Sequence, residues 1–244
     1  MISHSARRRI DAVLFDMGFT MVYFEPAQSM IVHKSLRDVG AARSVDEIEA
    51  AIQVVWGHYY HDAATATFPA TEEYDNQVQA DLGRNFLSRL GLDVDDETLQ
   101  IYMDHVDAWF NRPGVMRCYP EVREVLASLQ SQGCRLGIVS NWSWNLRDRV
   151  AQVELDAFFE IVWASAYAGC NKPHPRIFHQ ALEQMNLSPE RVLYVGDSYQ
   201  HDVIGARNAG VEVVLLDRDG TSEASDCPII RDLGGVLPLL EAAS

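Results

Sequence analysis

The sequence predicts an α/β fold, a doubly wound parallel sheet with an inserted all-helical domain, on three observations. First, residues 10–15 (IDAVLF) are a near-continuous apolar run ending in Asp16, the pattern of a parallel strand covered on both faces. Second, four more runs lie in the second half of the chain, at 134–139 (CRLGIV), 159–163 (FEIVW), 192–195 (VLYV) and 211–216 (VEVVLL). Helix-period stretches such as 122–129 and 177–185 separate them, and strands alternating with helices build a parallel sheet. Third, residues 22–115 carry amphipathic periods and no convincing strand, which reads as a helical insert. The expected division is a core of residues 1–21 and 116–244 and a helical domain of 22–115.

Within the insert, Ser44 and Glu47 make a capping box ahead of Ile48, Ile52, Val55 and Trp56. Gly91 closes the helix that holds Phe86, Leu87 and Leu90. Asp95 or Asp96 caps the next, which puts Leu99, Tyr102, Met103 and Val106 on one face and stops at Pro113 and Gly114. The loop 63–71 (AATATFPAT) joins the second helix to the third and is expected to be mobile. The acidic pairs Asp46 and Glu47, Glu72 and Glu73, and Asp95 and Asp96 sit at helix N-termini, where the dipole favours them. Trp56 with Tyr59 or Tyr60 fits a core stripe, although the whole run Trp56, His58, Tyr59, Tyr60, His61 is also able to line a pocket. His58 and Asp62, one turn apart, suit a surface hydrogen bond better than a metal. No internal repeat is present.

Across 244 residues, 20 Lys plus Arg face 35 Asp plus Glu, a net charge of -15 that excludes a broad basic surface for nucleic acid. With 48% hydrophobic and 23% charged residues, the chain is composed as a globular protein and not as a disordered one. No apolar run approaches the roughly 20 residues that span a bilayer, so no membrane partner is expected. Arg7, Arg8 and Arg9 are followed by too short an apolar stretch for a secretory signal. The four cysteines, Cys118, Cys134, Cys170 and Cys227, match neither a CxxC zinc pattern nor a disulfide framework, which points to a reduced, cytoplasmic protein. Lys34 and Lys172 are the only lysines, so lysine chemistry has two candidates. Monomer and homodimer both remain open.

In an open α/β sheet, ligands gather at the carboxyl ends of the strands. The first predicted strand ends in Asp16-Met17-Gly18-Phe19-Thr20, the second in Ser140-Asn141, and the fourth in Gly196-Asp197, with Asp202 a little further on. Lys172 stands between the third strand and a helix. Asp16 and Asp197 repel each other unless a hard cation lies between them, and oxygen donors on two strand ends suit Mg²⁺, which retains waters and binds substrate phosphate. Ser140, with Asn141 beside it, and Lys172 then hold the remaining phosphate oxygens, while backbone N–H groups after Asp16, at Gly18, complete an anion nest. The phosphorus is thereby presented to Asp16 as a carboxylate nucleophile.

Four motifs in order, FDMGFT at 15–20, IVSN at 138–141, KPHPRIF at 172–178 and VGDSYQHDVIGARNAG at 195–210, resemble those of haloacid dehalogenase (HAD) superfamily hydrolases whose helical cap follows the first motif. The likeness covers residue 10 to about 217. It implies Asp16 as nucleophile and Mg²⁺ ligand, Ser140 as phosphate binder, Lys172 as charge clamp, Asp197 as metal ligand, and Asp202 as orienter of metal water or of the lysine. The backbone carbonyl of Gly18 is implied as a further metal ligand. The expected function is a Mg²⁺-dependent phosphatase of a small phosphorylated metabolite, acting through an aspartyl-phosphate at Asp16.

Phosphatases of this family place a second Asp two residues after the nucleophile, where this chain has Gly18. That Asp protonates the leaving oxygen and later activates water, work that contributes on the order of 10² to 10⁴ in rate. Esters with good leaving groups, acyl or aryl phosphates, need it least. Glu25 is an alternative acid, and Trp142 and Trp144 are placed to shape substrate choice or to pack against the cap. His174, where relatives carry Asp, is expected to be a changed helix cap. Three other functions stay open: an impaired relative that binds a phosphorylated ligand or partner, a phosphonatase-like enzyme using Lys34, and a dehalogenase-like enzyme, against which Asp197 and Asp202 argue.

Overall fold

The computed structural model describes residues 10–62, 65–224 and 226–243, with backbone alone for 61, 62 and 241–243. Its strands are β1 (Ala12–Phe15), β2 (Val22–Phe24), β3 (Met116–Cys118), β4 (Arg135–Ser140), β5 (Ile161–Ala164), β6 (Val192–Gly196), β7 (Glu212–Leu216) and β8 (Ile229–Ile230). All five predicted strands are present, and with β8 they form one parallel sheet in the order β5-β4-β1-β6-β7-β8. After β1 the chain builds outward through β4 and β5, then returns past β1 to lay down β6, β7 and β8. This reversal opens a crevice at the carboxyl ends of β4, β1 and β6.

Strand side chains point alternately to two cores, which is why the runs are apolar without a gap. Val13 and Phe15 face one core, shared with Val125 and Leu126 of α5 (Val122–Ser131), Val150 of α6 (Leu146–Gln152) and Leu240 of α10 (Val236–Ala243). Ala12 and Leu14 face the other, filled by Ile177, Phe178 and Met185 of α8 (Pro175–Met185) and Ala206 of α9 (Ile204–Asn208). A four-residue helix, α7 (Ser165–Ala168), follows β5. His174 caps α8, its Nδ1 accepting from the Arg176 N–H at 3.1 Å.

Between β2 and β3 lie four helices, α1 (Gln28–Asp38), α2 (Val45–Asp62), α3 (Glu72–Arg89) and α4 (Asp96–Phe110), around a separate core of Leu36, Ile48, Phe86, Leu87, Leu99 and Tyr102. The Ser44 and Glu47 capping box forms, Asp95 accepts from the Thr98 N–H, and Gly91 takes a left-handed φ of 72° after α3. Trp56 packs on Phe86 within this core, whereas Tyr59 and Tyr60 turn toward the parallel sheet's domain. The all-helical reading of 22–115 needs one correction, since residues 22–24 are strand β2, paired antiparallel with β3. Three residues are too few to show alternation, and their partner lies beyond all four helices in sequence. In the loop expected to be mobile, Ala63 and Ala64 lie outside the described residues, but the Phe68 N–H donates to the Gly169 carbonyl at 2.9 Å and fixes the loop's middle. The side chain of Asp62, paired above with His58, is also outside the described residues, as is that of His61.

The helices are fastened at one corner by buried Arg149 of α6, which donates to Asp107 (3.0 Å) and Asn111 (2.5 Å) at the end of α4, beside the β2–β3 ribbon. Among the described residues, no helix is long and apolar enough to cross a membrane.

Gly137 of β4 has Leu14 and Ile161 so close that a Cβ would stand 2.6 Å from a methyl of each. Gly137→Ala is expected to lower the free energy of unfolding by about 1–3 kcal/mol, the usual cost of overpacking. A urea titration reads this directly, and an unchanged midpoint would show that the sheet yields freely there.

Candidate active site

Asp16 follows β1, and its N–H donates to the Val195 carbonyl at 2.9 Å, so the sheet itself holds the residue at the rim. Its Oδ1 accepts from Ser140 Oγ at 2.8 Å and from Lys172 Nζ at 2.6 Å. Oδ2 is left with Thr20 Oγ at 3.5 Å, too far for a good hydrogen bond. Lys172 Nζ also donates to Asp202 Oδ1 at 2.6 Å and to the Tyr194 hydroxyl at 3.0 Å. That hydroxyl donates in turn to the Val139 carbonyl at 2.7 Å. Lys172 is 2% exposed and Asp202 1%, so the ammonium has exchanged water for two carboxylates and a phenol.

Asp202 is brought back to the rim by a single wide turn over Tyr199–Val203, and its Oδ2 accepts from the Ser198 N–H at 2.9 Å. Gly196 is required for this, because any Cβ there would fall on the Asp202 carboxyl group. Asp197 is exposed on one edge, and its Oδ1 accepts from Thr20 Oγ at 3.1 Å. Ligand oxygens of Asp16, Asp197 and Asp202 lie within 4.8 Å of one another.

Burial lifts the Asp16 carboxyl above its ordinary range, with Lys172 pulling it back and Asp202 adding to the rise. Burial also works to lower the Lys172 pKa, but Asp16 and Asp202 outweigh it and raise the group, which therefore stays charged. Asp197 is pushed from 3.8 to about 7, by the protein packed around it and then by repulsion from Asp16 and Asp202. The set thus holds three carboxylates against one ammonium, all oxygen donors on its acidic side. A hard divalent cation fits this charge and donor chemistry.

The structure brings Asp16, Ser140, Lys172, Asp197 and Asp202 together as the sequence predicts. Asn141 differs, because its side chain is spent on the lysine's backbone: Nδ2 donates to the Lys172 carbonyl (3.1 Å) and Oδ1 accepts from the Lys172 N–H (2.7 Å). That side chain holds the lysine's loop against the end of β4. Gly18 lies beside the indole of Trp142, whose Cζ3 would be 3.4 Å from a Cβ at that position. Trp142 is held there by Nε1 donating to Asn145 Oδ1 at 3.1 Å. Trp144 meets the cap, its N–H donating to Asp75 at 2.8 Å. Glu25 is ion-paired with Arg117 on the ribbon at 2.7 Å, and Lys34 lies over the Trp109 ring at 4.8 Å. Three residues were missed by sequence reasoning. Tyr194 had a visible signal, a hydroxyl within a fully buried strand, which always needs a partner. Thr20 and Asp75 had none.

The haloacid dehalogenase-like hydrolase profile matches residues 10–210 of this arrangement. The chain belongs to that family. Over 103 residues it is 37% identical to the glyceraldehyde 3-phosphate phosphatase of Pyrococcus furiosus, covering 41% of this chain and 42% of the relative. Over 113 residues it is 36% identical to the phosphoserine phosphatase of Thermus thermophilus, covering 46% and 45%. The chain thus spans about half the length of the curated relatives it matches. A magnesium-bound putative HAD hydrolase of Bacillus subtilis has the same fold, with a TM-score of 0.75 at 21% identity over 96% of this chain and all of that one. Fold and cap are therefore those of HAD hydrolases.

The raised Asp197 pKa gives the metal-free protein a pH signature. Between 3.8 and about 7, the folded protein keeps a proton that the unfolded chain has released, so stability falls as pH rises through that window. In EDTA, the melting temperature is expected to drop from pH 5 to pH 8, and Asp197→Asn should make the drop smaller. An identical drop in the variant would assign it to other acids.

Proposed function

We propose that this HAD hydrolase is a Mg²⁺-dependent phosphatase of a small phosphorylated metabolite, working through an aspartyl-phosphate at Asp16. The observation that carries the reading is the meeting of Lys172 and Ser140 on one oxygen of a buried carboxylate whose other oxygen lacks a close partner. An ammonium and a hydroxyl converging there are spaced to take the oxygens of an arriving phosphoryl group. The names of the curated relatives, phosphatases of small metabolites, support the same class.

When bound, Mg²⁺ would be held by Asp16, Asp197 and the Gly18 carbonyl, with Asp202 alongside, and would supply positive charge toward the phosphate oxygens. The chain's own residues do the rest. Lys172, held by Asp202 at its ammonium and by Asn141 at its backbone, puts a fixed positive charge beside Asp16, and the N–H it now gives to Asp16 would turn to a phosphoryl oxygen. An Asp16 oxygen attacks phosphorus, and the bond to the leaving oxygen breaks with its electron pair. Water then attacks phosphorus, inorganic phosphate departs and Asp16 is restored. The helices on the β2–β3 ribbon act as the cap over this site, residues 22–115 set on a core of 1–21 and 116–244.

On a panel of phosphate esters with Mg²⁺, turnover is expected that Asp16→Asn removes and EDTA suppresses reversibly. The absence of turnover, with a melting temperature raised by Mg²⁺ and phosphate together, would favour a ligand-binding protein instead.

A further inference from the structure

Two independent features of the rim point to the group that leaves with the phosphate. One is the place beside the nucleophile. Gly18 has no side chain to protonate a leaving oxygen, and the indole edge of Trp142 stands where the first atom of a side chain would touch it. Trp142 is half-buried and anchored at both ends, by Nε1 on Asn145 and by its backbone N–H on Ser165 Oγ (3.2 Å), so it presents a fixed ring and not a roaming one. An aromatic edge therefore borders the position at which relatives of the phosphatase type carry an acid.

The other feature is the cap's side of the rim. Tyr59 accepts from Asn171 at 3.3 Å, the Tyr60 ring lies 5.3 Å from the His201 ring, and Phe68 is tied to Gly169 and stacked on Tyr74 at 5.5 Å. Asp75 completes the contact through Trp144. Among the described residues, none of these contacts is made by a lysine or arginine of the cap. Lys172 is already committed to Asp16 and Asp202. On this side of the rim a second phosphate or a carboxylate on the substrate would find rings and the Asp75 carboxylate, while Arg218, beside Thr20, is engaged by the Phe19 and Thr20 carbonyls and by Glu121.

We propose that the substrate is an aryl phosphate monoester, one phosphate on an uncharged aromatic ring, with the edge of Trp142 as the ring's aromatic contact. The inference rests on the phosphatase reading above. A phenol ionises near pH 10, whereas water, and alcohols like it, ionise near about 16, so an aryloxide departs without the acid that Gly18 lacks. In the balanced step, the Asp16 oxygen forms its bond to phosphorus as the phosphorus–aryloxygen bond breaks. The electron pair leaves on the aryloxide, which takes its proton from solvent. An edge-to-face aromatic contact and a self-sufficient leaving group thus meet in one ligand.

The test compares kcat/KM for 1-naphthyl, phenyl, 4-carboxyphenyl and butyl phosphate with Mg²⁺, in wild type, W142A, W142F and the double variant G18D/W142A. Ratios within each protein cancel any loss of folded material. Wild type is expected to prefer phenyl over butyl phosphate by on the order of 10² to 10⁴, the contribution of a positioned acid. It is expected to prefer naphthyl over phenyl, and to act poorly on the carboxylated ring. W142A should shrink the naphthyl preference about three- to tenfold, the worth of a lost aromatic contact, and W142F should restore most of it. G18D/W142A should narrow the phenyl-to-butyl gap. Turnover with no aryl preference, good turnover of the carboxylated ester, or ratios indifferent to W142A would each overturn the proposal while leaving the phosphatase standing. No turnover of any ester by wild type would instead remove the phosphatase reading itself.

Discussion

Everything at the rim depends on the ammonium of Lys172, buried between Asp16 and Asp202. Removing three charges from water is costly, and the arrangement holds because each partner has a further support: Ser140 on Asp16, Ser198 on Asp202, Tyr194 on the lysine itself. The lysine thereby ties the end of β1 to the wide turn after β6 and to the loop before α8. Losing it would leave two facing buried carboxylates, so chemistry and packing share one atom. Asn141 adds a backbone clamp, which makes the lysine's position a property of β4 as well as of its own loop.

The same economy appears beside Asp16. A glycine in place of an acid is usually taken as a loss, but here an ordered indole stands against it and is fixed by hydrogen bonds of its own. Space that an acid would fill is therefore lined and not empty. The cap's side of the rim, built of tyrosines, a phenylalanine and one carboxylate, matches it in character.

The parallel sheet was legible because its strands are buried on both faces, and such runs stand out without any knowledge of their partners. Helix ends were legible where a side chain caps its own backbone, as Ser44, Asp95 and His174 do. The short strands β2, β3 and β8 were not, since two or three residues acquire their identity from distant neighbours. At the site, Asp16, Ser140, Lys172, Asp197 and Asp202 were legible from motifs at strand ends. The partners of Asn141, Trp142 and Glu25 were not, because the direction a side chain takes depends on what packs against it: Asn141 turns to a backbone, Trp142 to Gly18, Glu25 to Arg117.

The fastening of the cap by Arg149 is lopsided, and this sets where the seam between the two parts is weakest. On the side of α4 and the ribbon, a buried guanidinium, the Gln152 amide on the Phe110 carbonyl and the β2–β3 strand pair hold cap to core. On the side of α2 and α3, single hydrogen bonds at Tyr59, Phe68 and Asp75 do the same work. A seam closed by a buried guanidinium at one place and by single hydrogen bonds at another opens locally at the least cost where the single bonds lie. The tyrosine edge of the cap, with Phe68 and Asp75, is thus the part of the seam that local opening frees first.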